Sequence, residues 1–242
     1  MKKIFLLLFL LIPGMSTHVF AVKRAPILTY HSIDEYPGHG LKGLYVSPKN
    51  FEKQMLYLKK QGFTLLTFED WKDREKVNKP IFITFDDGYK NNLKAYAIFQ
   101  KLKTPNFQPK ATIFAISDFV GRPNRLTTVE LKALADSGIF SIQSHTATHP
   151  DLTKPTTNYE YQFKASKEKI ERMTGKPVFV LSYPFGKFNE RVLEEAKKYY
   201  QYGLTDNPLI HTENGKTNKN YLIPRQYIFY STTLEEFARI VE

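Results

Sequence analysis

The sequence predicts an α/β fold of parallel strands joined by crossover helices, and three observations carry the prediction. Short apolar, β-rich runs alternate with segments of helical period, as in a chain of βα units. The polar clusters at His31, Asp86-Asp87, His145 and Tyr183-Pro184-Phe185-Gly186 each close one of those runs, where parallel sheets and barrels collect their sites. The length, 242 residues, suits one barrel-sized unit around a single core.

Eight runs read as strands: 25–31, 64–67, 81–86, 111–116, 140–144, 178–183, 202–205 and 221–228. Between them, Ser47 reads as an N-cap and Pro48 as the first helical residue, with Phe51, Met55 and Leu58 as the apolar stripe and Gly62 as the stop. The same grammar predicts a helix capped by Thr128 and running through Leu131 and Leu134 to Gly138, and another over 158–173. It also predicts one capped by Asn189 through Val192, Leu193 and Ala196 to Gly203, and a last one from Thr232 carrying Leu234, Phe237 and Ile240. The Pro- and Gly-bearing stretches 36–48, 120–126 and 206–220 read as loops, and no internal repeat or low-complexity tract appears.

Residues 1–21 read as an export signal: Lys2 and Lys3, the apolar run 4–12, the breakers Pro13 and Gly14, then Val19-Phe20-Ala21. The run is short for a membrane span, so cleavage is expected before Val22, leaving 22–242 as a catalytic domain in the periplasm, at the cell surface or secreted. No other segment reaches the about 18 apolar residues a bilayer crossing needs, so no transmembrane segment is expected in the mature chain. The absence of cysteine excludes disulfides, thiolate nucleophiles and Cys-bound zinc, and leaves Asp, Glu and His to hold any metal. The formal charge is +11, and it falls by the two lysines of the signal to +9 because residues 1–21 hold no acid. The basic residues are dispersed and no nucleic-acid motif accompanies them. A solvated surface, with attraction to an anionic cell envelope, is therefore expected rather than nucleic-acid binding.

Asp86 and Asp87 follow the apolar run 81–85, and neighbours on a strand face opposite sides unless a turn, here allowed by Gly88, brings them together. In SHTATHPDL, residues 144–152, His145 and His149 stand four apart, so a helical turn or a compact loop brings both imidazoles to one ion. Two histidines, a carboxylate and water make an open hydrolytic metal site; a hydrogen-bonded pair of loop histidines is the plainer alternative.

These residues resemble the polysaccharide deacetylases of carbohydrate esterase family 4. The family's T-F-D-D-G stands complete as Thr84-Phe85-Asp86-Asp87-Gly88, and its H-[ST]-x-x-H as His145-Thr146-Ala147-Thr148-His149, within a likeness running from Ile27 to Ile228. The resemblance implies a distorted (β/α) barrel of about seven strands. It implies that Asp87, His145 and His149 bind a divalent ion, most often Zn²⁺, with Co²⁺, Ni²⁺ or Fe²⁺ as alternatives, and that Asp86 is the base that takes a proton from water on that ion. In the third motif, Ser182-Tyr183-Pro184-Phe185-Gly186, the backbone N–H of Phe185 would help hold the oxyanion. Tyr183, Tyr89 beside the acids and His31 complete the expected substrate-binding set.

The chain departs from the family pattern in two places and matches its last motif by letters. Ser182 stands where the family has the arginine that holds the base, and Arg225, in Ile223-Pro224-Arg225, is the expected replacement because a guanidinium orients a carboxylate bidentately; an unrelated salt bridge is the alternative. The fourth motif with its tryptophan is not evident, and Trp71 lies upstream of Asp86 and is expected to pack. The fifth motif, L-x-H, is matched by Leu209-Ile210-His211, which would make His211 the acid, with His31 as its rival. The Tyr30-His31-Ser32-Ile33 opening and the Tyr-Pro-Phe-Gly motif look most like the branch that deacetylates poly-N-acetylglucosamine. The implied activity is therefore metal-dependent N-deacetylation of an acetylated envelope or matrix glycan. An O-acetyl or xylan esterase with the same site, and a degenerate glycan-binding domain, are the alternatives.

Overall fold

The computed structural model describes residues 25–206 and 219–242, so the expected export signal and His211 lie outside the described residues. In chain order the strands are β1 (Ile27–Tyr30), β2 (Ser32–Ile33), β3 (Tyr45–Val46), β4 (Thr64–Leu66), β5 (Pro80–Phe85), β6 (Ala111–Ala115), β7 (Phe140–Ser144), β8 (Val180–Ser182), β9 (Tyr202–Thr205), β10 (Ile223–Pro224) and β11 (Gln226–Tyr227). The α-helices are α1 (Pro48–Lys60), α2 (Asn92–Leu102), α3 (Thr128–Asp136), α4 (Ser166–Thr174), α5 (Glu190–Lys197) and α6 (Leu234–Val241).

Nine strands form one parallel sheet in the order β10-β9-β8-β7-β6-β5-β1-β11, with β4 beside β5. β10 and β11 are two halves of one stretch: the first pairs with β9 and the second with β1, so residues 223–227 close the sheet into a barrel. Counting that stretch once and leaving β4 off the ring gives seven staves. The ring is distorted at β5, whose one edge is shared between β4 (Pro80 to Phe82) and β6 (Thr84 and Phe85), while the other runs along β1.

Strand pleating sorts the apolar residues into two cores. Ile27, Phe82, Phe114, Val180, Leu204 and Ile223, one from each of six staves, fill the barrel. Their sequence neighbours, among them Leu28, Ile81, Ile83, Ile113, Leu181 and Tyr183, pack outward against the helical layer. All six residues of β5 are buried, which a strand covered on both faces requires. The barrel's floor is Phe68, from the 3₁₀ stretch Phe68–Lys76, against Phe82 at 5.2 Å, with Trp71 stacked on Phe68 at 5.5 Å. Trp71 packs, as expected.

The helix grammar mostly places its starts correctly and its stops less so. Ser47 Oγ accepts from the Asn50 N–H at 3.2 Å ahead of Pro48, and Phe51, Met55 and Leu58 are buried. Asn189 Oδ1 likewise accepts from the Val192 N–H at 3.0 Å, but α5 ends at Lys197, well before Gly203. The caps of α3 and α6 are Thr127 and Thr233, not Thr128 and Thr232, because each closes a reciprocal capping box with the glutamate three residues on. The predicted helix over 158–173 begins as a wide π-helical stretch, Glu160–Ala165, before tightening into α4. α2 was not predicted: Asn91 makes no capping bond, although Ala95, Ile98, Phe99 and Leu102 carry the helical period.

Tyr183 shows how tightly the outer layer is fitted. It is fully buried, and a Cβ on Gly203 of β9 would stand 2.2 Å from its hydroxyl oxygen and 2.7 Å from Cζ. Gly203→Ala is therefore expected to cost about 1–3 kcal/mol of stability through overpacking, read as a lower urea midpoint at unchanged slope.

Candidate active site

The pleat that fills the barrel also equips its mouth. Asp86 continues the inward parity of Phe82 and Thr84, Ser182 that of Val180, Asp206 that of Leu204, and Arg225 and Tyr227 that of Ile223. His145, which follows β7, and His31, which follows β1, join them at the C-terminal rim of the ring.

Arg225 is the centre of this layer. Its guanidinium carbon lies 5.5 Å from the Phe114 ring centroid, so the barrel's apolar filling ends beneath a buried cation. Nη1 and Nη2 donate to the two oxygens of Asp86 at 2.8 and 2.7 Å, a bidentate pair. Nη2 also donates to Asp206 Oδ1 at 2.6 Å and Ser182 Oγ at 2.9 Å, and Nη1 to Thr84 Oγ1 at 3.2 Å. Ser182 in turn donates to Asp86 Oδ2 at 3.1 Å. Burial by itself would push the Asp86 carboxyl up; the Arg225 charge overrides it and holds the carboxyl well below the usual carboxylate range. Burial works against the Arg225 cation as well, yet Asp206 and Asp86 together hold its pKa above the ordinary value.

Asp87 is the next residue, and a regular strand would aim it away. It adopts φ 70°, Gly88 φ 64°, and the chain turns so that Asp87 rejoins the site. Asp87 Oδ1 lies 3.7 Å from His145 Nε2 and 3.7 Å from His149 Nε2, and His145 Nε2 lies 3.7 Å from Asp86 Oδ2. His145 Nδ1 meets the Ser182 carbonyl at 2.9 Å; a carbonyl only accepts, so Nδ1 carries the proton and Nε2 presents a lone pair. Asp87 Oδ1 is buried without a hydrogen-bond partner. An orphaned carboxylate oxygen and an imidazole lone pair, with ligand atoms of Asp87, His145 and His149 all within 4.8 Å of one another, fit a divalent cation. Oxygen and nitrogen donors suit Zn²⁺ and its first-row neighbours.

His149 comes from a compact loop rather than a helical turn. Gln162 Oε1 accepts from the N–H groups of Ala147 and Thr148 at 3.1 and 3.0 Å, and Thr146 Oγ1 accepts from the His149 N–H at 3.0 Å. Among the described residues six non-glycine residues have left-handed φ, and four of them are here: Asp87, Thr146, His149 and Phe185. Such backbone costs about 1–3 kcal/mol each and survives where the surroundings enforce it.

The remaining expected site residues divide. Phe185 is 62% exposed, with its ring centroid 4.6 Å from that of His149. Its turn is pinned by Gly186, where a Cβ would meet the Asp206 backbone nitrogen at 2.9 Å. Tyr89 stands beside Asp87 under the Arg125 guanidinium, 3.9 Å from its ring, and burial raises its pKa, with Asp87 adding to the rise. His31 is half-buried, with Nδ1 3.1 Å from the Tyr227 hydroxyl; burial lowers its pKa, opposed by Asp86 and Asp87. Tyr183 corrects the expectation of a substrate contact. Following inward-facing Ser182, its side chain points outward into the helical layer and lies fully buried there. Asp206 and Gln162 were missed, although strand parity at 202, 204 and 206 would have found the first.

The fold is the (β/α) barrel of the polysaccharide deacetylases. A sequence model of the polysaccharide deacetylase family matches residues 73–203, and the chain belongs to that family. YxkH of Bacillus subtilis (strain 168), which carries the same family name, is 36% identical over 193 residues, covering 76% of this chain and 65% of YxkH; the chain thus spans just under two thirds of that relative. The poly-β-1,6-N-acetyl-D-glucosamine N-deacetylase of Staphylococcus aureus (strain MRSA252) is 29% identical over 210 residues, 76% of this chain and 68% of the relative. In three dimensions the chain is similar to the polysaccharide deacetylase BC0361 of Bacillus cereus, with 51% identity and a TM-score of 0.86 over 90% of this chain and 69% of that one.

Two outcomes test the geometry. Arg225→Ala strands two carboxylates at the barrel mouth and is expected to cost about 3–5 kcal/mol in urea unfolding. Titrating Zn²⁺ into metal-free protein should raise its thermal midpoint, and Asp87→Asn or His149→Ala should weaken binding by more than about tenfold in calorimetry; unchanged affinity would remove the triad as the site.

Proposed function

We propose that the protein is a metal-dependent hydrolase that removes N-acetyl groups from an N-acetylglucosamine polysaccharide of the cell envelope or matrix, releasing acetate and leaving a free amine. The observation that carries this reading is the ionised Asp86, gripped by both arms of Arg225 with its Oδ2 3.7 Å from the metal-facing nitrogen of His145. Asp87, His145 and His149 would hold a divalent ion, which would supply Lewis acidity to the site.

The chain's own groups account for the rest. Asp86 is ionised and fixed in direction, so it accepts the proton of the attacking water without first having to turn. Asp206 shares the guanidinium and helps hold Arg225 in place. The left-handed turn at Phe185 puts the backbone of the third motif at the rim, in keeping with a donor to the oxyanion. Of the two histidines expected to protonate the leaving amine, His31 is fixed by Tyr227 at the same rim, and His211 lies outside the described residues. A glycan-binding domain would need only the triad, and an aimed second carboxylate favours turnover. The likeness to a poly-N-acetylglucosamine N-deacetylase favours an amide over an ester. Residues 1–21, read as an export signal, would take the activity outside the cytoplasm.

Acetate release from N-acetylglucosamine oligomers, with Zn²⁺ and with chelator, tests the reading. Chelator should abolish release and Zn²⁺ restore it, and Asp86→Asn should lose about 10²–10⁴-fold in kcat while still binding the ion. Full turnover in chelator overturns the mechanism, preference for acetylated xylan selects the esterase, and His31→Ala beside His211→Ala assigns the acid.

A further inference from the structure

An aromatic path leads out of the site. The His31 and Tyr227 rings lie 5.2 Å apart, and Tyr227 is stacked on Phe229 at 4.6 Å with 27° between planes. Phe229 is 49% exposed while one of its faces is covered by Tyr227. It is also rigidly mounted: its N–H donates to Thr232 Oγ1 at 2.9 Å, and its carbonyl accepts from the Thr232 N–H at 3.1 Å. Gly43 lies beside the ring, where a Cβ would stand 3.5 Å from Cδ1, an ordinary contact. Beyond Gly43, the Lys42 ammonium sits over the Tyr230 ring at 4.6 Å and the Tyr36 ring at 5.7 Å, so the path ends in a polar rim.

We propose that Phe229, backed by Tyr227, is a stacking platform for a sugar residue of the glycan chain other than the one being deacetylated. This rests on the reading of the site given above and names where its polymer runs. A pyranose has an apolar C–H face and a hydroxyl edge, which suits an open aromatic face bordered by the Tyr227 hydroxyl and Lys42. Tyr227 stands between Phe229 and His31, which places the platform on the far side of Tyr227 from the His31 rim. A single exposed phenyl ring is far smaller than the apolar centre of a protein interface, which argues for a sugar as occupant.

The platform predicts a preference for length. In the Zn²⁺-loaded enzyme, KM for the β-1,6-linked N-acetylglucosamine pentamer should be lower than for the dimer. Phe229→Ala should raise the pentamer KM by up to about tenfold and erase most of that difference, whereas Phe229→Trp should keep it. If wild type prefers the pentamer and Phe229→Ala prefers it equally, the platform is overturned and the reading of the site stands. If wild type releases acetate from neither oligomer, the reading of the site falls and the platform with it.

Discussion

The grip of Arg225 on Asp86 is the interaction on which the rest of the site depends. A buried guanidinium is tolerable only where its charge is met, and here two carboxylates and two hydroxyls meet it. In return it fixes Asp86, the acid proposed as the base, and Ser182 links this grip to the proposed ion site, because its hydroxyl bonds Arg225 and Asp86 while its carbonyl meets His145. Left-handed turns at Asp87 and His149 bring in the other two members of the triad.

Parity explains how much of this could be read from the sequence. The adjacent acids and the first histidine follow predicted strands, the family resemblance singles out Arg225 as the replacement arginine, and the structure brings them together at one mouth. Tyr183 was misplaced because motif position was followed where strand alternation should have been: one step past Ser182 turns a side chain from the barrel into the helical layer. Asp206 was missed for the converse reason, since it belongs to no motif and only its register with Leu204 marks it.

What local sequence could not carry were contacts between distant segments. Gln162, sixteen residues after Thr146, shapes the histidine loop through a side-chain amide that no local pattern announces. The predicted strand 221–228 concealed that its two halves pair with different neighbours, because pairing partners leave no trace in a run of eight residues. Asn91, the residue before α2, makes no capping bond because its side chain bonds Ser32 and the Ile33 N–H instead, although the helix's apolar period is present in the sequence.

That divided strand ties two features of the barrel together. Residues 223–227 hold both the seam of the ring and the guanidinium that fixes Asp86. Closing the ring and setting Asp86 therefore share one segment, so a loosened seam would also release the carboxylate on which the proposed hydrolysis relies.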